Sequence, residues 1–200
     1  MEFEFKEKIL YDIVTELVGR LMSMVSLIVV SPLILLTAIA IKLEDGGPIL
    51  YRQRRVGKNG EIFTLYKLRS MDVSDDSCEF METRVDDPRI TKVGKFIRKT
   101  RLDELPQLLN VFRGNMKLIG PRPLVPEEVD EILKELPEFL NRQVILPGLT
   151  GLAQVTGGND LTPAEKLALD MEYVKHRGIL MDVKIVIKTV GIVFSGDGAR

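Results

Sequence analysis

The 200-residue chain is 45% hydrophobic and 28% charged, which is enough for one sizeable buried core and too short for a multidomain machine. Its formal net charge of −1 gives no overall attraction to nucleic acid, so an anion-binding role would have to come from local clusters of the 28 Lys and Arg residues. The one cysteine, Cys78, excludes an internal disulfide and favours a reducing, cytoplasmic compartment.

A long apolar segment comes first in the chain. Residues 21–41 contain no charged residue, and at about 1.5 Å per residue a straight helix of that length would reach across the roughly 30 Å of a bilayer core. Ser31 and Pro32 lie at its midpoint, where proline removes a helix hydrogen bond and favours a bend. Because basic residues flank both ends, a kinked spanning helix and a re-entrant hairpin both fit the sequence.

Three further elements are predicted between the apolar segment and residue 101. Turn signals at 46–48 and 59–60 predict a β-hairpin-like element. Residues 72–88 are polar and acidic and predict a loop that contains Cys78. Residues 89–101 carry six basic residues and no acidic one, which is typical of a basic amphipathic helix at a membrane surface. The apolar residues expected to share one side of that helix are Val93, Phe96 and Ile97.

Two adjacent carboxylates, Asp103 and Glu104, lie among basic residues at the start of a short helix expected over 103–113. Carboxylates at a helix start can converge, and the backbone N–H groups there favour anions. Mg²⁺ binds one or two carboxylates together with substrate phosphates, so the pair suits phosphoryl chemistry. The structural alternative is that Asp103 caps the helix and Glu104 pairs with Arg101.

Several other segments offer groups that bind phosphate. Lys67 and Arg69 lie two residues apart on a predicted strand, which would place both cations on one face. Arg122 lies between two prolines, which suits presentation of a bidentate guanidinium. The glycine-rich segment 146–158 allows close approach of a phosphate or nucleotide. Each segment alone is equally typical of an ordinary strand or turn.

Three helices are predicted in the second half of the chain. One begins near Glu127 and ends by Pro137, and a second over about 163–177 carries a Thr-x-x-Glu capping box at Thr162. The third, from 179 onward, is apolar with charged residues interspersed, so it suits a protein or membrane surface better than a crossing.

Taken in this order, the stretches at 51–71, 101–123 and 146–157 resemble the bacterial sugar transferase family, the monotopic phosphoglycosyl transferases that begin lipid-linked glycan assembly. The similarity runs from about residue 21 to near residue 190, and the lack of further spans before Arg20 predicts the small catalytic-core form. The resemblance implies transfer of a sugar 1-phosphate from a UDP-sugar to polyprenyl (undecaprenyl) phosphate, with release of UMP and with Mg²⁺ as cofactor.

The resemblance also implies roles for individual residues. Asp103 would be the nucleophile that forms a covalent phosphosugar intermediate, and Glu104 would assist through metal placement or proton handling, so both are candidate metal ligands. Ser31 and Pro32 match the helix-breaking pair of the family and favour the re-entrant hairpin. The positions expected to contact substrate are Lys67, Arg69, Arg98, Arg122, Gly148, Thr150, Gly151, Gln154 and Asp170.

The sequence departs from the family at one of these segments. Gly158 stands where the family often has arginine, which puts a nucleotide contact in doubt and leaves open whether Arg142 or Lys166 replaces it. Asp170 matches an acidic position near the family's site, although an ordinary helix-surface aspartate fits the sequence as well.

The expected fold is α+β and mainly α. Residues 1–42 would hold a re-entrant membrane helix, and residues 43–200 would form a catalytic domain with interfacial helices and a small β element. Its active site would face the cytoplasm at the bacterial inner membrane. UDP-sugar, polyprenyl phosphate and membrane lipids are the expected partners, nucleic acid is not, and the apolar C-terminal helix suits a homodimer or the membrane equally well.

Two alternatives remain open at the level of the sequence. A membrane-anchored anion-binding scaffold without catalysis explains the apolar segment and the basic run at 89–101, but it does not explain an acidic pair between cations. Within enzymes, a non-covalent ternary mechanism competes with the covalent one.

Overall fold

A computed structural model describes residues 8–72 and 87–195 of the chain. Most of the predicted loop at 72–88, including Cys78, therefore lies outside the described residues. The described part is mainly helical, as predicted, and contains two small sheets. Its helices and strands are α1 Ile9–Asp45, β1 Leu50–Val56, β2 Ile62–Leu68, α2 Lys92–Lys99, α3 Gln107–Phe112, β3 Lys117–Ile119, α4 Pro126–Glu135, β4 Gly148–Thr150, α5 Leu152–Thr156, α6 Pro163–His176 and α7 Ile179–Ser195.

Helix α1 is long and apolar enough to cross a membrane, and it continues through Ser31 and Pro32. Pro32 has no N–H to donate to the Ile28 carbonyl, which is its partner four residues back in a regular helix. The Ser31 hydroxyl donates to that same carbonyl at 2.8 Å and replaces the missing hydrogen bond. The Ser-Pro pair thereby satisfies a backbone group that would be costly to leave unpaired in lipid.

The buried residues of α1 lie near its two ends. Gly19 and Ser23 are buried before the middle of the helix, and Thr37, Ala38 and Ile41 are buried after it. The residues between them are exposed or half-buried. The two ends of the helix therefore pack against the rest of the chain, whereas the apolar middle does not.

Ion pairs also join both ends of α1 to the rest of the chain. Near its start, Asp12 accepts from Lys117 Nζ at 2.8 Å and from Arg177 Nη2 at 2.9 Å, and both cations are buried. At its end, Asp45 pairs with the buried Arg69. Both ends are therefore held by charge as well as by apolar packing.

Strands β1 and β2 form the predicted hairpin, antiparallel from the pair Leu50 and Leu68 to the pair Val56 and Ile62. The connecting turn requires left-handed backbone, with φ of 52° at Asn59 and 81° at Gly60. Asn and Gly are the residues that adopt this conformation most readily, so the local sequence explains the turn.

An apolar cluster joins the end of α1, the hairpin and α2. Ile41, Leu68 and Ile97 are buried against one another. Helix α2 is basic, as predicted, but it is shorter: it begins at Lys92, where the Thr91 hydroxyl accepts the Gly94 N–H at 2.9 Å. Of its predicted apolar side, Ile97 is buried in the protein, whereas Phe96 is 61% exposed, so placement of this side at a membrane surface stays a prediction.

The helix predicted over 103–113 is broken. Leu102–Glu104 form a 3₁₀ turn, and α3 begins only at Gln107, so both acids precede the α-helix. Arg101, between α2 and this turn, adopts a left-handed backbone conformation with φ of 56°. This conformation changes the direction of the chain as it enters the 3₁₀ turn. A left-handed conformation is uncommon for arginine and concentrates strain beside the acidic pair.

A parallel strand pair that the sequence did not predict brings two distant segments together. Lys117 pairs with Gly148 and Ile119 with Thr150. The backbones approach so closely that a Cβ atom on Gly148 would lie 2.0 Å from the Gly120 nitrogen, so only glycine fits there. The pairing places the segment that precedes Arg122 beside the glycine-rich segment.

The remaining helices agree with prediction. Helix α4 begins with Pro126, and α6 has the full capping box, in which the Thr162 hydroxyl accepts the Glu165 N–H and Glu165 accepts the Thr162 N–H. Helix α7 presents many exposed apolar side chains, including Leu180 and Ile187.

Candidate functional site

Two basic residues hold the side chain of Glu104. Its Oε1 atom accepts from Lys67 Nζ at 3.1 Å, from the end of β2, and from Arg122 Nη2 at 2.9 Å. The same Lys67 ammonium lies 4.0 Å from Asp103 Oδ2. Lys67 therefore lies between the two carboxylates, and Glu104 is fixed in place by charge-assisted hydrogen bonds.

Asp103 differs from its neighbour. It is 8% exposed, and its carboxylate accepts no hydrogen bond within residues 8–72 and 87–195. A buried carboxylate without hydrogen-bond donors is poorly stabilised as an anion. The two adjacent acids thus have opposite environments, one firmly paired and one left available.

The pKa values of the two acids move in opposite directions. Burial raises the pKa of Asp103 above its usual 3.8, the charge on Lys67 opposes the rise, and the charge on Glu104 adds to it. Burial also favours the neutral form of Glu104, but the charges of Lys67 and Arg122 outweigh it and hold that pKa well below its usual 4.5. Environments that separate the pKa values of paired acids are typical of sites with distinct catalytic roles.

The structural alternative for the acids, in which Asp103 caps the helix and Glu104 pairs with Arg101, is wrong. Helix α3 has Pro106 at its N-cap and no side-chain cap, so Asp103 does not cap it. Glu104 pairs with Lys67 and Arg122 rather than with Arg101. Glu104 is therefore held by tertiary contacts, and Asp103 is not a helix cap.

A buried ion pair between Arg142 and Asp170 contacts the backbone of Arg122. Arg142 donates through Nη2 to the Arg122 carbonyl at 2.8 Å and through Nε to Asp170 Oδ2 at 2.7 Å. Asp170 is 1% exposed, so the helix-surface interpretation of this residue is wrong. Burial raises the pKa of Asp170, and the positive charge of Arg142 opposes that rise. Arg142, left open as a nucleotide contact, lies in the interior with its side chain engaged.

The other predicted site residues divide into two groups. The half-buried Arg98 lies on the side of the acids, and its charge lowers the pKa of Asp103. Arg69 lies one residue beyond β2 and pairs with Asp45 of α1, so it is not brought to the acids together with Lys67.

The glycine-rich segment is packed against its neighbours. The Thr150 and Thr189 hydroxyls lie 2.8 Å apart, which links β4 to α7. Gly148 and Gly151 lie against Gly120, and the amide group of Gln154 is buried with neither Nε2 nor Oε1 bonded to the described residues. Substrate contacts by these residues remain predictions.

Sequence reasoning missed Asn110, which attaches α3 to the hairpin. The fully buried Asn110 side chain donates to the Thr64 carbonyl at 2.6 Å and accepts the Tyr66 N–H at 3.1 Å, as a neighbouring strand would do. These bonds fix the helix that follows the acids onto the strand that carries Lys67. An asparagine after two leucines in a short helix gives no sequence signal for such a role.

Replacing Asn110 with Leu is expected to lower the free energy of unfolding by about 2 kcal/mol, because the Thr64 carbonyl and the Tyr66 N–H would both lose their partner in the fully buried Asn110 side chain. Denaturant unfolding of detergent-solubilised protein, followed by circular dichroism, measures the change. Asn141→Leu, at an exposed position, is the matched control and should stay within about 0.5 kcal/mol of the wild type. A similar small change in Asn110→Leu would contradict the assignment.

No group of three or more His, Cys, Asp or Glu side chains that could enclose a metal ion occurs within the described part of the chain. The Asp103 and Glu104 pair nonetheless fits Mg²⁺, which needs only one or two carboxylates when substrate phosphates complete its coordination. The Asp103 oxygens and Glu104 Oε2 accept no hydrogen bond from the described residues, so they remain available as ligands.

Comparison of the sequence with known proteins identifies the family of this chain. The model of the family described as bacterial sugar transferase matches residues 10–196, almost the whole chain. The chain belongs to the bacterial sugar transferase family. The matched range includes the acids and the three basic residues described around them.

Curated relatives of this bacterial sugar transferase carry related names. The UDP-N-acetylgalactosamine-undecaprenyl-phosphate N-acetylgalactosaminephosphotransferase of Aeromonas hydrophila is 43% identical over 85% of the chain, which spans 41% of that protein. The UDP-glucose:undecaprenyl-phosphate glucose-1-phosphate transferase of Caulobacter vibrioides is 42% identical over 84% of the chain and 65% of its own length. The exopolysaccharide production protein ExoY of Sinorhizobium fredii is 42% identical over 90% of the chain and 84% of its own length.

Proposed function

We propose that this bacterial sugar transferase moves a sugar 1-phosphate from a UDP-sugar to undecaprenyl phosphate and releases UMP, as the first membrane step of glycan assembly. The observation that carries the proposal is the asymmetry of the acidic pair, in which Glu104 is held by two cations while Asp103 is buried and unbonded among the described residues. Relatives named as undecaprenyl-phosphate sugar transferases support the assignment of substrates.

Asp103 is proposed as the nucleophile. A carboxylate oxygen attacks the β-phosphorus of the UDP-sugar, the bond from that phosphorus to the bridging oxygen breaks, and UMP leaves with the bridging oxygen. An oxygen of the lipid phosphate then attacks the same phosphorus and displaces Asp103. Attack by one anion on another requires nearby positive charge, which Lys67, Arg98 and Arg122 supply.

Mg²⁺ is the proposed cofactor, held by Asp103 and Glu104 together with substrate phosphate. When bound, it would neutralise charge on the diphosphate. The two cations that bind Glu104 Oε1 fix the orientation of this carboxylate, so its second oxygen keeps a constant position.

The membrane arrangement is proposed to be re-entrant, with both ends of α1 on the cytoplasmic side. A straight α1 would separate Asp12 from Asp45 by about 50 Å. A folded unit as large as the rest of the chain has a radius of gyration of about 15 Å, hence a diameter of about 40 Å. Because both ends pair with that unit, a bend at Ser31 and Pro32 accounts for the contacts better than a straight span.

The test is UMP release by pure protein in detergent or nanodiscs, with undecaprenyl phosphate, Mg²⁺ and a panel of UDP-sugars that includes UDP-N-acetylgalactosamine and UDP-glucose. Mg²⁺-dependent UMP release with one or more donors is the expected result. Absence of UMP with every donor would reject the proposal and favour the anion-binding scaffold. A protein that releases UMP but never yields a phosphosugar adduct would favour the non-covalent ternary mechanism.

A further inference from the structure

A basic residue of β1, Arg55, projects from the same face of the hairpin as Lys67. In an antiparallel pair, directly opposed residues share a face, and alternate residues of one strand do the same. Tyr51 is opposite Lys67 and Arg55 is opposite Phe63, so Arg55 and Lys67 lie on one face, about 13 Å apart along the strands. The neighbouring Arg54 lies on the other face and is exposed.

Contacts of Arg55 place its guanidinium beside Arg122. Arg55 Nη1 donates to the Pro123 carbonyl at 3.0 Å, and the next residue of the strand, Val56, donates its backbone N–H to the Leu124 carbonyl at 2.9 Å. Lys67, Arg122 and Arg55 therefore form a row of cations along one face of the hairpin, with Glu104 between the first two.

The partners of Arg55 are all neutral. Its Nε and Nη2 atoms donate to Gln53 Oε1 at 3.0 and 2.6 Å, and Nη1 donates to a carbonyl. It forms no ion pair with a carboxylate anywhere in the described ranges. A guanidinium carries five N–H donors, so these three bonds leave two N–H groups for another acceptor.

The charged form of Arg55 is destabilised by its surroundings. Burial and the nearby charge of Arg122 lower the pKa of Arg55 to about 10, and the charges of Glu128 and Glu104 oppose this shift without reversing it. Arg55 stays protonated at neutral pH. A half-buried cation that lies beside a second guanidinium and has only neutral hydrogen-bond partners is stabilised when an anion binds. Phosphate matches the planar donor geometry of arginine.

We propose that Arg55 is a phosphate-binding residue of the transferase site, which extends the row of cations from Lys67 and Arg122. The proposal rests on the proposed function, since the phosphate belongs either to the diphosphate of the nucleotide sugar or to the lipid acceptor. Both sources have the same chemistry, and steady-state kinetics with each substrate varied in turn distinguishes them.

The test compares Arg55→Gln with Arg54→Gln, a matched change on the opposite face of the same strand. Arg55→Gln is expected to raise KM at least tenfold for one phosphate substrate, whereas Arg54→Gln should change either KM by less than about twofold. A raised KM for the UDP-sugar with slower adduct formation in the absence of lipid assigns the diphosphate. A raised KM for undecaprenyl phosphate alone assigns the acceptor.

A third variant separates binding from folding. Arg55→Lys keeps the positive charge and should recover much of the lost affinity if Arg55 binds phosphate. If Arg55→Gln and Arg55→Lys both reduce the yield of folded protein and leave both KM values unchanged, Arg55 only joins β1 to Pro123 and the proposal is overturned.

Binding of inorganic pyrophosphate, followed by calorimetry, provides a readout without turnover. Wild-type protein should bind this probe at least fivefold more tightly than Arg55→Gln. Equal affinity would overturn the proposal for Arg55 even if the wild type is active. An inactive wild type would instead reject the proposed function, because this comparison does not depend on turnover.

Discussion

Replacing Asp103 with Asn is expected to reduce UMP release by at least about 10³-fold, because the amide keeps the size of the side chain but is no longer an anionic nucleophile. Burial already raises the pKa of this carboxyl, so the folded protein tolerates a neutral group there. The loss should therefore come from chemistry rather than from unfolding. UMP release under saturating substrates measures it.

Mass spectrometry of the intact protein provides the second readout. Wild-type protein incubated with the UDP-sugar and without lipid should gain the mass of one sugar phosphate, and Asp103→Asn should gain none. Asp130→Asn, an exposed position on α4, is the matched control and should retain activity and adduct. Turnover of Asp103→Asn within tenfold of the wild type would eliminate Asp103 as the nucleophile.

Neutralising the neighbouring acid is expected to have the opposite effect on stability. Glu104→Gln should lower the free energy of unfolding at pH 7 by about 3 kcal/mol, because Lys67 and Arg122 would lose their shared carboxylate in a largely buried site. Asp103→Asn should leave stability at pH 7 unchanged or increase it. Of these two adjacent, nearly isosteric changes, only Glu104→Gln should lower the unfolding temperature.

The pH dependence follows from the same pKa shifts. The folded-state pKa of Glu104 lies below its usual 4.5. Its contribution to the free energy of unfolding is therefore present above pH 4.5 and is lost as the pH falls through the folded pKa. The folded-state pKa of Asp103 lies above its usual 3.8. Its contribution to the free energy of unfolding is therefore present below pH 3.8 and is lost as the pH rises through the folded pKa.

Thermal unfolding of the wild type and both variants between pH 4 and pH 8 tests these signs. The destabilisation in Glu104→Gln should be constant above about pH 4.5 and should shrink only as the pH falls below that value, so its scan is extended to about pH 2. Any stabilisation in Asp103→Asn should shrink toward pH 4. Equal destabilisation by both substitutions at pH 7 would contradict the asymmetry of the pair.

Local sequence signals predicted the elements that depend on local chemistry. The Asn59-Gly60 turn and the capping box at Thr162 act within a few residues and formed as expected, and the apolar run formed a helix, α1. The bend at Ser31 and Pro32 stays a prediction. The break between the acids and α3 was missed because it depends on a left-handed arginine, Arg101, a conformation that arginine seldom adopts.

The parts of the site that sequence could not predict depend on contacts between distant segments. The pairing of β3 with β4 and the bonds from Asn110 to the hairpin join residues 31 to 46 positions apart. Asp170 matched a position near the family's site, yet nothing in its local pattern indicated that Arg142 would bind it in the interior. A sequence therefore suggests which residues carry charge, whereas packing decides which of those charges meet.

The packing of α1 has a consequence for how such proteins diversify. Its residue Ile41 completes the cluster with Leu68 and Ile97, and its Asp12 is the acid that pairs with Lys117 and Arg177. A recombination event that replaced α1 with a foreign helix would uncover that cluster and remove the carboxylate that Lys117 and Arg177 share. An exchange of α1 would therefore require compensating changes in the residues that it packs against.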